Sequence, residues 1–403
     1  MHRPLATFVA LLALTLPTGS AVGAADQTSL QRKLANALRV PHVKPTRSGA
    51  VALDLASGDL LFAQNPGLSL APASNAKLPL TYALTVRLGP AYRIQTEVLG
   101  DGVQDGTTWI GRLVLKGNGD PTLSSAGLRA LALQVRAAGI RTVTGGILGD
   151  ESSFDARRMV AGWKAAFFIH ESPPLSALVV DRGRVGRFIT RFPALAAATS
   201  FRTALRAAGV TVGGPVTVGR GDEWLEQIAS VSSPALATML RFMDRESDNF
   251  TAEMLLKHLG HVELERGTSP AGAAVVTQTM AEAGVPMAGV RIVDGSGLSR
   301  LDRMTVGSLG GLLKVAWADP IVKPVLLASL PVAGVNGTLR DRLRKPPARG
   351  RILAKTGTTR EASALSGYVS TRYAFAIMQN GNPVSYWWAR RAQDRFALVL
   401  AAQ

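Results

Sequence analysis

Two short apolar runs, Gly49 to Leu55 and Leu60 to Gln64, flank the turn-forming stretch Ala56-Ser57-Gly58-Asp59 and predict a β-hairpin. Apolar positions then recur with helical spacing from about Ser74 to Leu88, and Gly89-Pro90 punctuates the end. Pro79 falls near the first turns of that helix, where proline costs less than it does mid-helix. From about Tyr92 to Ala229 the texture changes to short apolar runs broken by Gly, Asp and Asn, with helical stretches at Leu128 to Ala138 and Ala194 to Ala208. Helical periodicity resumes at Pro234 to Met243, Phe250 to Leu259 and Thr305 to Trp317. Arg351 to Thr356, Ala364 to Ser370 and Tyr373 to Met378 are short runs parted by turn residues and predict neighbouring antiparallel strands. A hairpin at the start and strands at the end, with helices between, predict an α+β fold: one antiparallel sheet flanked by helices, its sequence divided by a large strand-rich insertion. The predicted boundaries are 26–91 and 230–403 for the divided domain and 92–229 for the insertion.

A chain of 403 residues is long enough for two domains, and 47% hydrophobic against 18% charged residues is a globular balance. Its first residues read as an export signal ending near residue 25: basic His2 and Arg3, an apolar run from Leu5 to Pro17, then small residues from Thr18 to Ala25. The run of 13 residues falls short of the ~20 needed to span a bilayer, so release into the periplasm or the extracellular cell-wall space is expected rather than a stable transmembrane anchor. Zero cysteines exclude a disulfide framework, a lipid-modified cysteine, a thiolate nucleophile and a Cys-based zinc site. The formal charge of +17 is spread over scattered arginines, which suits anionic envelope polymers on an exported protein and argues against nucleic acid. His258 and His261, three apart, lack a third suitably spaced ligand, so packing is expected there and no metal. The Trp387-Trp388 pair is expected to pack a C-terminal helix onto the sheet.

Three short motifs follow in order: Ser74-Asn75-Ala76-Lys77, Ser247-Asp248-Asn249 and Lys355-Thr356-Gly357-Thr358. Helical residues three apart share a face, which puts Lys77 within reach of the Ser74 hydroxyl. Serine becomes a nucleophile when a base takes its proton, and a lysine serves only when burial or a second cation keeps it neutral. Lys355 supplies such a cation. Ser247 is placed to relay a proton, and Asn249 to orient Lys77. Lys355 and the Thr356 hydroxyl suit a substrate carboxylate, and Gly357 lets an extended peptide approach the strand edge. The backbone N–H groups of Thr358 and Ser74 are the expected oxyanion donors.

Together with Gly117-Asn118-Gly119-Asp120-Pro121-Thr122-Leu123, Ser176-Ala177-Leu178, the stretch Asp294 to Arg300, Gly337-Thr338-Leu339 and Leu365-Ser366-Gly367-Tyr368, these motifs resemble the low-molecular-mass class C penicillin-binding proteins. The family's large insertion is matched by the 173 positions between Ser74 and Ser247. The resemblance implies a serine β-lactamase/D,D-peptidase-like fold and D-alanyl-D-alanine carboxypeptidase or endopeptidase activity on peptidoglycan peptides. It implies no cofactor, and β-lactams as covalent inhibitors. It further implies that Asp150, Phe154 and Arg300 read the peptide's side chain, while Arg360 replaces a polar residue and is expected to alter that preference. A β-lactamase, or a catalytically idle wall-binding protein of the same fold, are the alternative readings.

Overall fold

A computed structural model describes residues 21–222 and 224–403, with side chains from Thr28 onward. The first 20 residues of the expected export signal lie outside the described residues. Helix α1 (Ala21–Leu38) precedes the hairpin of β1 (Ser48–Asp54) and β2 (Leu60–Gln64), and a 3₁₀ turn at Ala73–Ala76 leads into α2 (Lys77–Leu88). Next come β3 (Gln95–Asp105), β4 (Thr108–Gly117), α3 (Ser125–Ala137), β5 (Thr142–Val143), β6 (Ile147–Asp150), the small hairpin β7 (Arg184–Val185) and β8 (Phe188–Ile189), α4 (Pro193–Ala207), β9 (Thr211–Val212), β10 (Val216–Val218) and β11 (Glu226–Ser232). The chain then forms α5 (Leu236–Arg245), α6 (Asn249–Leu264), α7 (Ser269–Glu282), α8 (Val306–Ala318), α9 (Val322–Ser329), β12 (Ile352–Thr358), β13 (Ala362–Val369), β14 (Tyr373–Asn380) and α10 (Tyr386–Ala401).

The first and last strands share one five-stranded antiparallel sheet in the order β12-β13-β14-β1-β2. Helices cover both of its faces, which is why β13 is buried at every position instead of alternating. On one face α2 and α5 to α9 supply Leu80, Leu84, Leu240, Leu256, Val275, Leu309 and Val325 to the core. On the other, Leu34 of α1 and Phe396 and Leu400 of α10 pack on Phe375 and Ile377. Truncating Phe375 or Phe396 to alanine is expected to cost about 3–5 kcal/mol.

The chain between α2 and α5 builds a second, mixed sheet, ordered β10-β6-β4-β3-β11 with β5 and β9 alongside; α3 and α4 bury Leu131, Val135, Phe201 and Leu205 in its core. Its β11 runs to Ser232, a few residues past the expected boundary. A bridging cluster of Phe154, Val160, Leu175 and Val179 with Phe250 and Met254 seats this region on α6. His258 of α6 joins it: burial pushes its imidazole down to about 4, Nδ1–H donates to the Asn118 carbonyl (2.7 Å) and Nε2 accepts from the Tyr92 hydroxyl (2.9 Å).

The tryptophan pair departs from expectation. Trp387 is 58% exposed and stands edge-on to Trp388 at 4.5 Å, with Arg391 over both rings. The buried stripe of α10 is instead Ala389, Ala392, Phe396, Ala397 and Leu400, and the pair falls in the helix's first turn, ahead of that stripe.

Candidate active site

Ser74 does not lie on an α-helix but in the 3₁₀ turn that opens α2, where residues three apart eclipse each other. Lys77 Nζ therefore reaches Ser74 Oγ at 3.3 Å while also donating to Asn249 Oδ1 (2.9 Å) and the Ser296 carbonyl (2.8 Å). Ser74 stays half-exposed and Lys77 is wholly buried. Burial lowers the Lys77 ammonium to about 8, against the raising influence of Asp294, Glu253, Asp248 and Asp244. Immediately before the serine, buried Ala73 holds a left-handed φ of 47°, a conformation kept only where surrounding structure enforces it. Gly297 (φ 82°) packs directly against this residue: a β-carbon there would lie 1.9 Å from the Ala73 carbonyl oxygen. The stretch Asp294 to Arg300 is thus the floor of the Ser74 turn. Asp294 folds it by accepting hydrogen bonds from the N–H groups of Gly297 (2.6 Å) and Ser299 (2.7 Å).

In the second motif the duties divide. Asp248 caps α6 by accepting from Thr251 N–H (2.7 Å), which leaves its neighbours free to face the cleft. Asn249 holds Lys77, and its Nδ2 donates to the Glu171 carbonyl (3.3 Å) of the inserted region. Ser247 sits in a left-handed conformation (φ 57°) and its Oγ accepts from Lys355 Nζ (2.8 Å). Arg182 of the inserted region pairs with Asp248 Oδ2 (2.7 Å) and lies over the Phe250 ring.

Strand β12 is the edge of its sheet, and only part of that edge is open. The Ala354 N–H and the Ile352 carbonyl bond the Pro331–Ala333 segment (3.0 and 2.9 Å), covering the first half of the strand. By strand alternation the N–H groups of Thr356 and Thr358 face the same way as that of Ala354, into the remaining open edge beside Ser74. Lys355 is fully buried beneath it; burial and then the nearby Lys77 ammonium hold it below the ordinary lysine range. The Thr356 hydroxyl donates to Thr338 Oγ1 (2.7 Å), giving Gly337-Thr338-Leu339 a place in the site. Gly357 admits a backbone approach, but the backbone is the protein's own: a β-carbon there would stand 2.9 Å from the Pro72 carbonyl oxygen and 3.2 Å from Ala73 Cβ. Asn75 donates to Ser366 Oγ (2.7 Å) and so fastens the Ser74 turn to β13.

Behind the lysines lie carboxyl groups that the motifs do not contain. Glu253, one turn beyond Asn249 on α6, accepts from Ser296 N–H (2.8 Å) and Gly295 N–H (3.1 Å). Burial and the Asp294 charge raise its acid to about 8, so it carries a proton at neutral pH. Asp302 is also held well above the carboxylate range by burial beside Asp294. The signal for Glu253 is its spacing: Asn249, Glu253 and Lys257 fall four apart on one face of the helix.

A cleft of about 350 Å³ opens beside the Ser74 turn, lined by Ala73, Gly297, Lys164, Phe167, Arg300 and Glu361. Arg300 and Lys164 converge on Glu361 at 3.5 and 3.6 Å. Arg360 is exposed on the turn after β12, next to this group. Asp150 and Phe154 are a correction, for the structure does not bring them to the cleft. Asp150 is buried at the end of β6, its carboxylate consumed by the N–H groups of Ser152 (2.8 Å) and Gly221 (3.0 Å). Phe154 is buried in the cluster on α6, against Gly119 and under the Lys257 ammonium, which pairs with Asp155.

Comparison with known proteins gives the chain's relatives. The D-Ala-D-Ala carboxypeptidase 3 (S13) family matches residues 30–191 and 187–403. A D-alanyl-D-alanine carboxypeptidase from an Actinomadura species is 32% identical, covering 93% of this chain and 86% of the relative. Carboxypeptidase DacB of Mycolicibacterium smegmatis is likewise 32% identical, over 93% of this chain and 85% of its own. Among solved structures, penicillin-binding protein 4 of Haemophilus influenzae superposes with a TM-score of 0.80 at 20% identity, covering 94% of this chain and 98% of that one, which establishes the shared fold. Matched from residue 30 to residue 403, the chain belongs to the D-Ala-D-Ala carboxypeptidase 3 (S13) family.

Proposed function

We propose that this chain is a serine D-alanyl-D-alanine carboxypeptidase, with endopeptidase action on cross-links available to the same site, exported to act on peptidoglycan stem peptides. The observation that carries the reading is a chain of contacts between two wholly buried lysines from distant parts of the sequence: Lys77 reaches half-exposed Ser74 at 3.3 Å and Asn249 at 2.9 Å, and Lys355 is bound at 2.8 Å to Ser247, two residues before Asn249. Two ammonium groups in one dry site repel each other, so the pair releases its first proton below the usual lysine range and titrates as a unit.

A D-alanine carboxylate entering beside Thr356 and Lys355 favours the ammonium form of Lys355, and Lys77 is then the amine left neutral. Ser74 Oγ gives its proton to Lys77 and bonds to the penultimate D-Ala carbonyl carbon. The oxyanion is met by the N–H groups of Ser74 and Thr358, each such donor being worth about 10²–10³ in rate. The C–N bond breaks as a proton reaches the leaving amine through Ser247, and water then cleaves the ester. β-Lactams enter the same path and halt at the acyl-enzyme. Arg300 and Glu361 at the neighbouring cleft, with exposed Arg360 adjoining Glu361 in the chain, are suited to read the stem peptide's third residue. Export rests on the basic, apolar and small-residue pattern of the first 25 residues; among the described residues no helix is long and apolar enough to cross a membrane.

Product analysis tests the reading. Purified protein should release D-alanine from a synthetic pentapeptide ending in D-Ala-D-Ala and leave its L-Ala-terminated isomer intact. Cleavage of both, or of neither while a cross-linked dimer is also untouched, sinks it.

A further inference from the structure

Asp244 belongs to no motif, yet it occupies the point where three elements of the site meet. It lies at the end of α5, three residues before Ser247, and is wholly buried. Its Oδ2 accepts from Thr81 Oγ1 (2.8 Å) and Ser329 Oγ (2.9 Å). Thr81 is one helical turn beyond Lys77 on α2, so the carboxylate is bonded to the helix that carries one lysine and joined by chain to the serine that holds the other. Among the described residues no side chain or backbone N–H donates to its Oδ1.

We propose that Asp244 is a positioning residue for the acylation step: the buried counter-charge shared by Lys77 and Lys355, which sets the pH window in which that pair holds a single proton. The inference rests on the reading of the two lysines as a working pair. A purely structural link between α2, α5 and α9 needs only one neutral acceptor for the two hydroxyls. A carboxylate in that wholly buried place has a use if its charge is the point. Burial pulls Asp244 towards its neutral form, raising it to about 6; Lys355, the two hydroxyl donors and Lys77 oppose that pull. The titratable groups facing Lys77 from the packed elements are Asp294, Glu253, Asp248 and Asp244, of which Glu253 is neutral near pH 7, and those facing Lys355 are Lys77 and Asp244. Asp244 is the carboxyl common to both. Near neutral pH its negative charge favours the ammonium form of each lysine, so removing it lets both protons leave at lower pH.

The pH dependence of the second-order rate of acylation by a fluorescent penicillin decides this, measured on wild type, Asp244→Asn, Ser329→Ala and Lys77→Met. Asparagine keeps an acceptor for the hydroxyls and removes the charge. Both limbs of the bell-shaped profile should move to lower pH by about one unit. Ser329→Ala withdraws one of the donors that favour the ionised carboxylate and should move the acid limb the same way by less. A folded Asp244→Asn protein with the bell in place overturns the proposal. If that variant does not fold, an unmoved bell in Ser329→Ala does so. Lys77→Met separates the two levels: if it acylates as wild type does, the lysine reading itself fails, whereas loss of acylation there with an unmoved bell in Asp244→Asn sinks only the role of Asp244.

Discussion

Asn249 Oδ1 accepts a hydrogen bond from Lys77 Nζ at 2.9 Å, across 172 positions of sequence that include the whole inserted region. That bond joins the helix behind the nucleophile to the helix capped by Asp248, and it fixes which way the lysine points. Asn249→Ala removes the acceptor and leaves Lys77 with the Ser296 carbonyl and the Ser74 hydroxyl. A stability loss of about 1–2 kcal/mol is expected, with acylation slowed about 10–100-fold. Denaturation midpoints and stopped-flow acylation check both.

Lys77→Met separates function from stability. The buried ammonium makes three hydrogen bonds but has lost its hydration, and a methionine of similar length removes that cost. Acylation should fall by about 10³-fold or more, while the thermal midpoint stays within a few degrees of wild type or rises. A large drop in the midpoint would mean that the lysine is a structural tie.

Gly357→Ala tests the close approach of β12 to the Ser74 turn. The new methyl group would stand 2.9 Å from the Pro72 carbonyl oxygen and 3.2 Å from Ala73 Cβ, so the turn must retreat. Expected are a loss of about 1–3 kcal/mol and a fall in acylation larger than the stability loss explains, since the displaced residues lead directly into the nucleophile.

Glu253 gives a pH signature. Its folded value of about 8 lies above the ordinary 4.5, so the folded chain binds a proton that the unfolded chain has already released. Stability from this group is present below about pH 4.5 and is lost as pH rises towards 8. Glu253→Gln mimics the protonated acid and should abolish that slope. Urea midpoints at pH 5 and 8.5 should favour the variant increasingly with pH; parallel pH profiles would contradict the assignment.

These groups show where the sequence was readable. Ser74, Lys77, Ser247, Asn249 and Lys355 announce themselves because each motif is local, and the structure brings all five together. The hairpin and the final three strands were legible from short apolar runs, and the inserted region from its change of texture. Helices α7 and α9 were not, for one is rich in small residues and the other spans only 8 positions. Asp150 and Phe154 were misplaced because the path of the insertion over α6 is set by tertiary packing that no periodicity encodes. Asp244 and Glu253 were passed over because a lone acid in a helix reads as a solvated position until burial is known.

The most direct test of the central claim is covalent labelling at Ser74. Wild-type protein incubated with a fluorescent penicillin should gain one label per chain, mapped by peptide mass to the peptide containing Ser74, and Ser74→Ala should gain none while keeping its fold. Equal labelling of Ser74→Ala, or a folded wild type that takes no label, would contradict the account.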